Sequence, residues 1–554
     1  LGADGKKSSF GHQPRFVPDI VANALAIAMT QYHDLSMVGI GMIADIAKAQ
    51  LLMHGNLKQI ESDWIDQLDK LITGKNKEEA CRVFTSNLES RLAMLTPSAM
   101  LPVVPYAEIL HEFILSTTEF TDLLIHVRSL STSEEFEDER TLGTLGLLKY
   151  AKKMDQDDIY IKYTYQLAST QVLKGNYVEA AFTLKQYTDT LKWALNVRIP
   201  AISEYGYPPQ SAFERKEYLY LQMLEFFEMG QAWERAIGIC KELSHQYENV
   251  VFDYDRLSEI MRHQAFLYQN IIHKERLYNE YFRVSFYGKG QPKELENKEY
   301  IYRGSEWERI DSFCEWIQNK YPAATVLRTS NPPSDYILNG NGQFIQVTSV
   351  VPEPDLKQFI FQHGDLVTLP IRQYHEHNGV SAFSFTRPFR KTVETRPPTS
   401  TSVKDEHADV AHMWTEKTIL YTEQEMPWIL TRTQVIRVKM TEMSPIQNAI
   451  SIIKQKTKEL YALERRYFGF KDPSQANCTP LTTALNSVLN SSMSGGVRVY
   501  KDVFMSPNFL SFEPEQARYS KQFSDVLEEQ VLRLCGTQVC RPKCWDVASL
   551  SIRR

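Results

Sequence analysis

Residues able to make or break bonds are few in this sequence, and their spacing is poor. Two glycine-bearing strings, FYGKGQ (286–291) and NGNG (339–342), have the composition of phosphate-cradling loops. Neither completes the glycine spacing between a strand and a helix that such loops need, and as turn glycines they need no ligand. Cys535, Cys540 and Cys544 cluster near the C-terminus without a histidine nearby. Their irregular spacing sets a zinc site against the plainer reading of incidental cysteines. His407 and His412 stand in a loop-like stretch and lack the helical carboxylate of a metalloprotease. No covalent chemistry, cofactor or resident metal is assigned, so the chain is expected to act by binding.

The elements that would present a binding surface follow from composition and periodicity. At 554 residues with 43% hydrophobic content, the chain can bury several cores. Its net charge of −6 supplies no global basic field for nucleic acid. The longest early apolar run, Ile20 to Met29, is too short to span a bilayer. Seven scattered cysteines suit a reducing compartment, so a cytoplasmic location is expected. The opening LGADGKKSSF has neither an initiator Met nor a signal-peptide core, which reads as a segment of a larger polypeptide.

Residues 1 to about 130 show apolar residues three and four apart, the pattern of successive amphipathic helices. The acidic stretch Ser131 to Arg140 has no apolar period and is expected to be a joint. Beyond it, Gly175, Tyr177 and Ala180 recur as Gly230, Trp233 and Ala236. Such a set suits a helical hairpin: glycine for a positive φ at the bend, an aromatic wedge, and a small residue for close approach. The 55-residue spacing departs from the regular 34-residue tetratricopeptide period. Strand-like runs follow at 343–351, 380–389, 417–422 and 433–440. There Phe383 and Phe385 alternate with Ser384 and Thr386, and Ile436 and Val438 with Arg437 and Lys439, as in strands with one buried face. An antiparallel sheet with a few helices is therefore expected between 281 and 440. Ser444-Pro445-Ile446-Gln447 then reads as a capping box opening a long helix striped by Ile446, Ala449, Ile453, Leu460, Leu463 and Tyr467. A second helix starts at Thr479-Pro480 and is broken by NSSMSGG (490–496) before Val497 resumes an apolar pattern. A third covers roughly 514–534. Glycines inside a helix cost about 1 kcal/mol each relative to Ala, so the break calls for a reason.

Several strings in one order carry a resemblance: GNYVEAAFTLKQYTDTLKW, MGQAWERAIGICKELSHQYENVVFDYDRLSEI, YFRVSFYGKGQPKELENKEYIYRGSEWER, FSFTRPFR, MWTEKT and SPIQNAI. The chain resembles the catalytic region of the DOCK guanine-nucleotide exchange factors over about 145 to 530, nearest the ELMO-associated, Rac-directed subfamily. The resemblance implies a mainly α protein with an α+β middle lobe. Residues 1–140 would form a helical armadillo-like region and 141–280 a repeat-like lobe A that mediates homodimerisation. Residues 281–440 would form an antiparallel β-rich lobe B, and 441–554 a helical-bundle lobe C. Lobes B and C would grip a Rho-family GTPase, and an ELMO-type partner and membrane recruitment would belong to regions outside this sequence.

The broken helix then acquires a role by resemblance. In the family such a loop carries a nucleotide sensor, usually a valine, that pushes toward the GTPase's Mg²⁺ site. Aligned on Gly495 and Gly496, the position falls to Met493, followed by Ser494. Methionine here departs from the family pattern, and a slip of register would give the part to Leu489 or Val497. Leu489, Asn490 and Val497 around the same loop are expected by the resemblance to contact the GTPase. Ser444, Pro445 and Asn448 are expected to start their helix and to face the GTPase groove as well. Phe383, Phe385 and Trp414 are expected in the sheet core. A non-catalytic helical scaffold that holds a GTPase without discharging it is the alternative, as the Met departure and the odd C-terminus suggest.

Overall fold

The computed structural model describes residues 17–30, 32–54, 57–71, 87, 105–130, 136–153, 157–202, 206–274, 276–293, 295–329, 331–362, 367–390, 413–468, 497–506 and 518–536. They fall into two units. One comprises residues 1–276 with two short returns, 319–322 and 427–432; the other holds the remainder.

The first unit is helical: α1 (Val17–Ala28), α2 (His33–His54), α3 (Lys58–Leu71), α4 (Pro105–Ser129), α5 (Glu137–Lys153), α6 (Asp157–Leu173), α7 (Tyr177–Thr188), α8 (Ala212–Met229), α9 (Trp233–Gln246) and α10 (Tyr254–His273). A two-residue strand pair, β1 (Arg198–Ile199) and β2 (Gln210–Ser211), lies between α7 and α8. From α3 onward each helix packs on the next, as the apolar periodicity requires. At the α6–α7 bend Gly175 takes φ +77°, as expected. At the α8–α9 bend the expectation fails: the positive φ, +54°, belongs to Gln231. Gly230 is needed for proximity instead, because a Cβ there would stand 2.5 Å from Val178 Cγ2. Ala180 and Ala236 are fully buried and Trp233 nearly so.

The acidic stretch corrects the sequence reading. Its last residues are the first turn of α5, where the helix dipole favours acids, and Asp138 and Glu139 are buried. Lys320 reaches Asp138 Oδ2 at 2.6 Å and Arg432 reaches Glu139 Oε1 at 2.7 Å, while Lys174 pairs with Glu137 at 2.5 Å. Burial alone pushes the Asp138 carboxyl up, but Lys320 and Arg432 outweigh it and hold it down at about 2. The two short returns of chain are held in this unit by these charges and by Gln171 Nε2 donating to Ile429 O at 2.8 Å.

The second unit is built on a sheet of β3 (Asn279–Tyr287), β4 (Glu299–Glu306), β5 (Thr325–Leu327), β6 (Phe344–Pro352), β7 (Val380–Arg390), β8 (Met413–Met426) and β9 (Arg432–Met443, whose first residue belongs to the helical unit). The strand order is β3-β4-β9-β8-β7-β6-β5, and β3 also pairs with β6, which closes a barrel-like ring. The β5–β6 pairing is parallel and the β6–β7, β7–β8 and β8–β9 pairings are antiparallel. Sequence reading misses β3, whose apolar and polar residues are buried alike, and β4, whose buried Tyr300, Ile301 and Tyr302 are consecutive. Phe282 stacks on Phe313 of α11 (Ile310–Lys320) with centroids 4.1 Å apart. On the other face of β3, Arg283 pairs with Glu299, Nε to Oε2 at 3.1 Å. The two glycine strings pack on each other: Lys289 N donates to Gly340 O at 2.8 Å, and a Cβ on Gly288 or Gly290 would overlap the 341–342 backbone. Turn and close-approach glycines are what they are.

Also in this unit are α12 (Leu369–His377), α13 (Pro445–Phe468), α14 (Val497–Phe504) and α15 (Ser520–Gly536). Ile446, Ala449, Ile450 and Ile453 of α13 share one core with Tyr500, Val503 and Phe504 of α14 and Phe523, Val526 and Leu527 of α15. Leu460 is also buried. The side chains of Leu463 and Tyr467 lie outside the described residues.

Candidate functional site

β9 overturns its own pattern. Alternation of Ile436 and Val438 with Arg437 and Lys439 predicts one buried face, yet Ile436 is 65%, Val438 45% and Met440 67% exposed. Arg437, Lys439, Thr441 and Glu442 are exposed too, so both faces meet solvent from 436 to 442. Alternation tells which residues share a face and says nothing of what covers it. The cross-strand partners of Val438 and Met440, Leu420 and Thr418 of β8, are buried. The apolar stripe of β9 therefore begins where the packed interior ends. Arg437 lies over the Tyr421 ring at 3.9 Å, which fixes the cationic flank of the stripe.

The strand runs through Met443 directly into Ser444 and α13. Only half of the expected capping box forms. Ser444 N donates to Gln447 Oε1 at 2.9 Å, but Ser444 Oγ is buried without a hydrogen-bond partner. Asn448 N closes the first helical bond on Ser444 O at 2.9 Å. Pro445 is buried and Asn448 half-buried, so this junction presents Asn448 and the β9 stripe, with Ser444 and Pro445 beneath.

Leu489, Asn490, Met493, Ser494, Gly495 and Gly496 lie outside the described residues, as does the side chain of Val497. The helix that follows them, α14, is fixed through Tyr500 and Phe504 in the core it shares with α13, and burial pushes the Tyr500 phenol up. Phe383 is in the sheet core; Phe385, under the Arg283 guanidinium, and Trp414 are half-buried. The residues that sequence reading missed as surface are Ile436, Val438 and Met440. Their signal was apolar residues interleaved with Arg437, Lys439 and Glu442 just before a helix start.

A second exposed face belongs to the helical unit. On α10 the spacing of Tyr254, Met261, Ala265, Tyr268 and Ile272 sets one stripe, and all five are exposed. Among the described residues no helix is long and apolar enough to cross a membrane, and no three His, Cys, Asp or Glu converge on a metal position.

Residues 330–425 match the family model described as DHR-2, Lobe B, and residues 209–273 the one described as DHR-2, Lobe A. Dedicator of cytokinesis protein 3 of Mus musculus is 30% identical over 94% of this chain and 25% of its own length. Dedicator of cytokinesis protein 4 of Homo sapiens is 29% identical with the same coverage. The chain belongs to the DOCK family. A DOCK-like protein 1 of Saccharomyces cerevisiae is 28% identical over 74% of this chain and 20% of its own length. This DOCK chain spans about a quarter of the length of the first of these relatives. The lobe B match includes β6, β7 and most of β8, and stops short of the β9 stripe; the lobe A match spans α8 to α10.

Proposed function

We propose that the chain is the exchange region of a guanine-nucleotide exchange factor for a Rho-family, Rac-like GTPase, with the β9 stripe and the Ser444–Asn448 junction as the docking surface. The supporting observation is the exposed apolar run of Ile436, Val438 and Met440 leading into a helix start, in a chain of DOCK descent. A GTPase that holds its nucleotide at nM to pM has roughly 12–16 kcal/mol of binding to offset. An exchange factor releases it only by binding the nucleotide-free form more tightly than the loaded one. Met493 would supply that difference by entering the GTPase's Mg²⁺ site, because Mg²⁺ requires hard oxygen ligands in octahedral array and a thioether is a poor one. The unbranched side chain is a more flexible wedge than valine. The α10 stripe would join two copies of the chain as a homodimer.

The test is release of a fluorescent GDP analogue from a Rac-like protein with catalytic amounts of the chain. Acceleration is expected, with a loss of about tenfold or more in Met493→Ala. Undiminished release on deleting 493–496 removes the sensor assignment. Tight binding with an unchanged off-rate selects the scaffold reading, which the methionine in place of the family's valine favours. Sedimentation of Met261→Asp/Tyr268→Asp as a monomer, where the parent is a dimer, supports the α10 pairing.

A further inference from the structure

A groove on the helical unit is absorbed by none of these roles. α8 and α10 both pack on α9, and the line between them opens into two clefts. One, of about 440 Å³, is lined by Glu225, Glu228, Met229, Trp233 and Lys274; the other, of about 610 Å³, by Glu217, Leu221, Arg256, Glu259, Ile260 and His263, so carboxylates outnumber the two cations. Two contacts cross from α10 to α8: the ion pair of Arg256 with Glu217 at 2.7 Å, and His263 Nε2 at 3.1 Å from Glu228 Oε2. Glu225 in the first cleft and Glu259 in the second are exposed, and neither forms an ion pair among the described residues. Leu221 and Met229, one turn to either side of Glu225 on α8, expose apolar surface. Residues 209–273 carry ten Asp or Glu against six Lys or Arg, so this segment holds −4 of the chain's −6.

We infer that this groove receives an amphipathic helix of a partner protein, with apolar residues on Leu221 and Met229 and Lys or Arg residues at the edge of its apolar face on Glu225 and Glu259. The span from Glu217 to Gly230 on a helix rises about 20 Å, which suits roughly three to four turns of a docked helix. A second copy of the chain is the wrong occupant. A two-fold interface sets a patch against itself, and unneutralised carboxylates would then meet their own copies or one another in low dielectric.

The probe is a fluorescein-labelled synthetic Leu/Lys amphipathic helix of about four turns, with a Leu/Glu helix of equal length as its charge control, followed by anisotropy against the full chain. The Leu/Lys helix is expected to bind saturably and to weaken in higher salt. Glu225→Lys/Glu259→Lys is expected to raise its Kd at least about tenfold, and the Leu/Glu helix not to compete. Both substitutions are on the surface, so the variant should unfold at the same urea midpoint as the parent. Leu221→Ser/Met229→Ser provides an independent apolar arm with the same expected loss. Equal binding of the Leu/Lys helix to parent and charge-reversed chain overturns the assignment. So does the absence of saturable binding up to about 200 µM. Release of a chain dimer by the probe, read by sedimentation, also overturns it, by making the groove a self-interface.

Discussion

β3 and β9 belong to one closed sheet and each sets an arginine between two apolar residues, Arg283 between Phe282 and Val284 and Arg437 between Ile436 and Val438, yet they end in opposite environments. In β3 Phe282 stacks on α11, the other apolar residues from Tyr281 to Tyr287 are buried, and the cation Arg283 is buried beside Glu299. In β9 the stripe of Ile436, Val438 and Met440 and the cations between them all meet solvent. A strand covered on both sides must neutralise its charge internally. A strand bare on both sides has surface left for another molecule. The difference lies in the neighbours and not in the strand's own residues.

The comparison can be broken most severely at β3. Glu299→Ala strands a buried guanidinium and should lower the unfolding free energy by about 3–5 kcal/mol, read by urea denaturation, while exchange per folded molecule stays unchanged. Replacing Ile436, Val438 and Met440 together by Ser should show the reverse. Stability should hold, while GDP release slows about a hundredfold, close to 3 kcal/mol of docking. If that variant instead unfolds as easily as Glu299→Ala, the stripe is core and the contrast collapses. The first residue of β9, Arg432, is buried as Arg283 is, and acid titration sharpens the parallel. The Asp138 carboxyl is depressed to about 2, so its stabilisation of about 2 kcal/mol is complete above roughly pH 4 and lost as pH falls toward 2. Asp138→Asn should erase that acid-linked slope in pH-dependent denaturation curves. The smallest effect marks where β9 gives way to α13. Ser444→Ala should change stability by under about 0.5 kcal/mol, because its Oγ bonds nothing. Ser211→Ala should cost about 1 kcal/mol, since both arms of that capping box are made.

Where periodicity had a single buried face to report, the sequence was legible: α1 to α3, β8 and the α13 stripe from Ile446 to Leu460 lie where their spacing puts them, whereas β6 and β7 lie in the expected runs but bury Gln346, Thr348 and Ser384 along with their apolar neighbours. It misled where a local pattern is decided by distant residues. Asp138 and Glu139 look like linker acids until Lys320 and Arg432, far along the chain, are brought to them. Gly230 resembles Gly175, yet its reason is Val178 in another hairpin. β3 and β4 hid because burial on both faces leaves no alternation to see. In the candidate site, Ser444 and Asn448 were legible as a helix start, whereas the bareness of β9 depends on what fails to cover it, which no local string encodes.

The charge cluster at the start of α5 has a consequence for the order of synthesis. A ribosome that has released residues up to 276 has made every helix of the first unit but neither Lys320 nor Arg432. Until both have emerged, Asp138 and Glu139 must stay hydrated or protonated, since unpaired burial is forbidding. The helical unit is thus finished by two residues made after its helices, and a fragment cut at the apparent boundary would lack the cations that complete it.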